Sequence, residues 1–140
     1  MFYFSLAIAI ISAASYHILT RYIPQNVNPF ISLIVTYVAA LVVAGIGLLV
    51  MPAPEGVRAE FGKLNIASAL IGLTVVGIEL GFIFAYRSGW QVNTASLVVN
   101  LAVAIVLILA GFGLFKETLT PTNIVGIVVC LVGMVLVSIK

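Results

Sequence analysis

Six basic and four acidic side chains are the whole charge complement of this 140-residue chain; eight of the ten lie in short gaps between five long apolar runs and Lys140 follows the last run. The tenth, Glu79, sits inside a run. Charged residues are 7% of the chain and hydrophobic residues 64%, whereas a soluble domain carries about 25% charged residues. So few charges cannot cover the surface of a soluble fold of this length, so the solvent must be largely lipid. The net charge of +2 is too small and too scattered to point to nucleic acid. Cys130 is the single cysteine, which excludes an internal disulfide and a multi-cysteine metal site.

The runs read Phe2–Thr20, Pro29–Met51, Leu64–Tyr86, Val92–Phe115 and Thr122–Ile139. Apolar stretches of about 20 residues match the roughly 30 Å hydrocarbon core of a bilayer. The runs are continuous rather than alternating, and in lipid each backbone must satisfy its own hydrogen bonds. The expected fold is therefore an all-α integral membrane protein with five transmembrane helices in one domain, residues 1–140. The punctuation agrees. Asn28-Pro29 and Thr120-Pro121 each read as a cap followed by a first-turn proline, and Pro52 and Pro54 close the second helix. The first run lacks a basic leader and is longer than a signal's apolar core, so it reads as a retained helix.

With the N-terminus on side A of the membrane, that side holds Arg58, Lys63 and Lys116, and side B holds Arg21, Arg87 and Lys140. Basic residues set orientation and acidic ones contribute little. Three against three gives no strong preference for either orientation. The expectation is dual topology, with an antiparallel homodimer as its consequence. Tyr22, Tyr86 and Trp90 accompany Arg21 and Arg87 at span ends, where amphipathic rings and long basic stems favour the interface.

Polar residues within the spans crowd toward side B. Tyr16 and His17 lie there in the first helix, Thr36 and Tyr37 in the second, and Asn93, Ser96 and Asn100 in the fourth. Asn93, Ser96 and Asn100 follow the three-then-four spacing of one helical face. These residues are the candidate lining of a water-accessible, substrate-binding cavity. The competing reading is that hydroxyls bond their own backbone and amides tie helices together. Glu79 aligns with Phe82 and Tyr86, while Gly77 and Gly81 fall on nearly the opposite face. Gly77 and Gly81, and Gly126, Cys130 and Gly133 in the last helix, are small-residue stripes suited to dimer or helix packing.

Glu79 is the sharpest chemical signal. A charged residue at mid-helix disfavours insertion by about 2.5–3.5 kcal/mol. Apolar surroundings disfavour its charged form, so it suits proton or cation coupling; the alternative is a structural partnership with His17, Arg21 or a neighbouring helix. No metal-ligand cluster, phosphate-cradling loop or second carboxylate beside Glu79 is present in the sequence, so neither an enzyme nor a cofactor is expected. Gly111-Phe112-Gly113 lies in an apolar helix, where small residues mark packing.

Ala85-Tyr86-Arg87-Ser88-Gly89 and Ala95-Ser96-Leu97 resemble the third-to-fourth helix region of EamA-type domains. Phe115-Lys116-Glu117-Thr118-Leu119-Thr120-Pro121, with Gly126 and Gly133 following, resembles the ending of those domains, which belong to the drug/metabolite transporter superfamily. The resemblance covers most of the chain. It implies a multi-pass carrier of the inner (cytoplasmic) membrane, working on a small organic solute by alternating access. Many relatives fuse two inverted domains, so one domain implies a dimer of inverted copies. A half of a heterodimer and a non-transporting structural subunit are the alternatives. The chain departs from the family at Ala102–Ala104, where a proline is common. It also lacks the first-helix glutamate of four-helix multidrug relatives. Glu117 matches the family's loop glutamate, at a helix start where an acid is favoured.

Overall fold

The computed structural model describes residues 2–114, 116 and 120–138. Every described element is helical: α1 (Phe2–Arg21), α2 (Pro29–Val50), α3 (Val57–Gly62), α4 (Ile66–Arg87), α5 (Val92–Leu114) and α6 (Pro121–Ser138). Among the described residues, α1, α2, α4 and α5 are long and apolar enough to cross a membrane. The fifth apolar run is the shorter α6, whose 18 residues reach about 27 Å at helical rise. Lys140, Phe115 and Glu117 lie outside the described residues, as do Thr118, Leu119 and Ile139.

The caps explain where the helices begin. The Asn28 side chain accepts the Phe30 amide at 2.9 Å, ahead of Pro29 in the first turn. Thr120 Oγ1 accepts the Asn123 amide at 3.3 Å ahead of Pro121. The third run starts at Ile66 rather than Leu64, because the Asn65 side chain accepts the Ala67 amide at 3.0 Å. Each cap satisfies one of the first-turn amides that a helix leaves unbonded. α2 ends at Val50 ahead of Pro52 and Pro54. α5 runs without a break through Ala102–Ala104, where no proline removes an amide.

The gap after α2 is not plain loop. Gly56, at φ 87°, turns the chain into the short α3, a backbone shape that glycine adopts without a side-chain clash. Lys63 closes α3 with ion pairs to Glu55 at 2.8 Å and Glu60 at 3.1 Å. At the α5–α6 junction, Lys116 is left-handed, with φ 54°. A non-glycine residue is strained there.

The chain forms two compact units: residues 1–18 with 88–140, and residues 19–87. In the first, α5 packs on α6, and Ala95 and Gly111 of α5 are buried. In the second, α2 packs on α4, and the buried side chains are Thr20, Leu33, Phe82, Ile83 and Tyr86. Lipid tails are as apolar as leucine, so such contacts are held by close van der Waals packing and by hydrogen bonds rather than by escape from water.

Candidate functional site

Among the described residues, the one acid within a candidate spanning helix, Glu79 of α4, falls in residues 19–87. Along α4 the shielded positions are 75, 76, 79, 80, 82, 83, 85, 86 and 87, a stripe set by the three-and-four spacing of a helix. Glu79 therefore shares its face with Phe82 and Tyr86, whose rings stack at 5.8 Å. Gly77 and Gly81 lie on the exposed side, and a Cβ at either would meet nothing within 4 Å. Within this unit the carboxylate face is the packed one and the glycine face is open.

The observed bounds of α4 also move Glu79 inward. From Ile66–Arg87 it lies about 4 Å from the helix midpoint at 1.5 Å per residue. Glu79 is half-buried, on the helix that packs against α2, which carries Tyr37. The Tyr37 hydroxyl is itself shielded and has no hydrogen-bond partner among the described residues. Ion pairs among the described residues involve Lys63 alone, so Glu79 forms none with Arg21. Arg21 instead donates from Nη1 to the Tyr86 carbonyl at 2.6 Å. Arg87 donates from Nη2 to the carbonyls of Val27 at 2.7 Å and Pro24 at 3.1 Å. The arginines thus tie the end of α1, the α1–α2 connection and the end of α4 together, leaving the acid to α2.

Thr36 is exposed, and its hydroxyl bonds the Ser32 carbonyl at 3.1 Å, the local back-bond open to helical threonines. Tyr16, His17, Asn93, Ser96 and Asn100 belong to the other unit. Tyr16 and His17 are half-buried, with their rings edge-to-face at 5.2 Å. Ser96 is half-buried and donates to the Val92 carbonyl at 2.7 Å. Asn93 and Asn100 lie on the exposed face of α5, where Asn93 accepts the Thr94 amide at 2.9 Å. The expected polar lining is thus divided between the two units, with Thr36, Tyr37 and Glu79 in one and the other five residues in the other. Between α5 and α6 runs a different space, an apolar cleft of about 360 Å³ lined by Leu101, Ile105, Ile108, Gly126, Cys130 and Leu131. Gly126 and Gly133 meet no neighbour at their Cβ positions, and Cys130 is exposed.

The sequence patterns missed the roles of Arg21 and Arg87 as carbonyl clamps. Their places at helix ends were the one available signal. Among the described residues, no group of histidines, cysteines and acids is placed to hold a metal.

Residues 1–139 match the EamA-like transporter family. The chain belongs to that family. Comparison with curated proteins and with solved structures gives no significant match. For an EamA-like chain, the apolar helices are those of a multi-pass, transporter-like membrane protein.

Proposed function

We propose that residues 1–140 act as one EamA-like domain and move a small polar or amphipathic organic solute by alternating access. Glu79 supplies proton or cation coupling, and Tyr37 lies beside it in the solute's path. The carrying observation is Glu79, about 4 Å from the middle of a spanning helix, without an ion pair among the described residues, on the helix that packs against α2, where the shielded Tyr37 hydroxyl has no partner among the described residues. A charged group away from water is unfavourable, and a carboxyl that takes up a proton, or meets a solute, relieves that cost. Thr36 is a further proposed solute contact within residues 19–87, and Tyr16, His17, Asn93, Ser96 and Asn100 are the proposed solute contacts of the other unit.

The working form is an antiparallel homodimer in the inner membrane. The even split of basic residues favours neither orientation, and the open faces at Gly77, Gly81, Gly126 and Gly133 admit close approach of a second helix. Two inverted copies place one Glu79 each near the bilayer middle. The test is purified protein in liposomes holding a pH gradient, challenged with polar and amphipathic solutes. Solute-dependent loss of the gradient is expected. A gradient that survives the whole panel, in protein whose fold is intact, overturns proton-coupled transport.

A further inference from the structure

Arg21 and Arg87 line one small cavity with Thr20, Gln25 and Tyr86. Its free space is about 10 Å³, room for roughly one water-sized atom. Each guanidinium carries five N–H donors in a fixed fork. The carbonyl contacts occupy Nη1 of Arg21 and Nη2 of Arg87. Nε of Arg87 is shielded from solvent and has no hydrogen-bond partner among the described residues. Neither arginine forms an ion pair with a carboxylate among the described residues. Two cations therefore share a cavity with a spare buried donor and no acid to balance them. Carbonyl dipoles at the ends of α1 and α4 offset part of that charge, but they leave the fork of Arg87 incomplete.

The cavity also lies at the ends of two spanning helices, α1 and α4, with Tyr22 79% and Trp90 48% exposed nearby in the chain. Aromatic and basic residues of this kind sit at headgroup depth. Planar forks match phosphate oxygens, and basic pockets between spanning helices bind anionic headgroups. We propose that Arg21 and Arg87 form a phosphate seat, with one phosphoryl oxygen entering the cavity toward Nε of Arg87. The phosphate belongs either to an anionic lipid headgroup or to a free phosphate. This site is separate from Glu79 and does not depend on the transport reading.

The test compares the full chain in nanodiscs of phosphatidylcholine alone and of phosphatidylcholine with phosphatidylglycerol, with native mass spectrometry counting retained lipid. Inorganic phosphate is titrated in detergent against the melting midpoint. One saturably retained phosphatidylglycerol per chain is expected. Arg21→Gln or Arg87→Gln should weaken that retention by about fivefold or more, and Arg58→Gln should leave it unchanged. Gln25→Glu covers the case in which the arginine variants do not fold: it leaves the carbonyl clamps intact and places a carboxylate at the cavity wall. Its retention should also fall by about fivefold or more. A saturable phosphate-induced rise in midpoint that Gln25→Glu abolishes assigns the seat to free phosphate as well; its absence, with lipid retained, assigns the seat to the headgroup. Phosphatidylglycerol retained no better than phosphatidylcholine, or retained equally by wild type and Gln25→Glu, overturns the proposal.

Discussion

Replacing Glu79 by glutamine should separate stability from coupling. The substitution keeps the shape of the side chain but removes the exchangeable proton. A charged side chain at the centre of a spanning helix disfavours insertion by about 2.5–3.5 kcal/mol. Glu79 lies about 4 Å from the α4 midpoint. It is only half-buried, and under the proposed coupling role it avoids part of that penalty by taking up a proton. A gain of about 1 kcal/mol for Glu79→Gln is the expected net, or about 3–4 °C in melting midpoint at this chain length. The same variant should lose solute-driven dissipation of a pH gradient in liposomes. Thermal unfolding in detergent and the liposome assay on one preparation read both effects. A variant that melts below wild type and still dissipates the gradient refutes the reasoning, because Glu79 would then be a structural partner without a coupling role.

Asn28→Ala should lower the melting midpoint by an amount equivalent to about 1 kcal/mol, because the Phe30 amide loses its cap; Asn28→Ser should restore most of it. Lys116→Gly should stabilise by about 0.5–1 kcal/mol, because the left-handed backbone at φ 54° suits glycine, and Lys116→Val should do the reverse in the same unfolding assay. Arg58→Ala breaks the even split of basic residues, so terminal reporter fusions that read both orientations in wild type should read mainly the one with side B in the cytoplasm. One orientation in wild type would remove the basis for an inverted pair.

Local chemistry was legible in the sequence and distant chemistry was not. Asn28-Pro29 and Thr120-Pro121 marked helix starts because a cap bonds an amide two or three residues on. Glu79, Phe82 and Tyr86 shared a face because helical spacing alone decides that. α4 starts two residues inside the apolar run because Asn65, which the run includes, is its cap. α3 was missed because the positive φ of Gly56 gives no periodic signal. The glycines at 77 and 81 announced close packing, yet their face is open within their own unit; a small-residue pair specifies approach distance, not partner. The packing of α2 on α4 and the arginine clamps depend on contacts many residues apart, which no local pattern encodes.

The clamps also impose a timetable on assembly. Arg21 meets its acceptor 65 residues later in the chain, and the Pro24 and Val27 carbonyls wait 63 and 60 residues for Arg87. At about 5–20 residues per second of synthesis, that is a delay of roughly 3–13 s. Through that interval the end of α1 and the α1–α2 connection lack these contacts. The bonds that tie residues 21–27 to the end of α4 are thus among the later ones the growing chain can make.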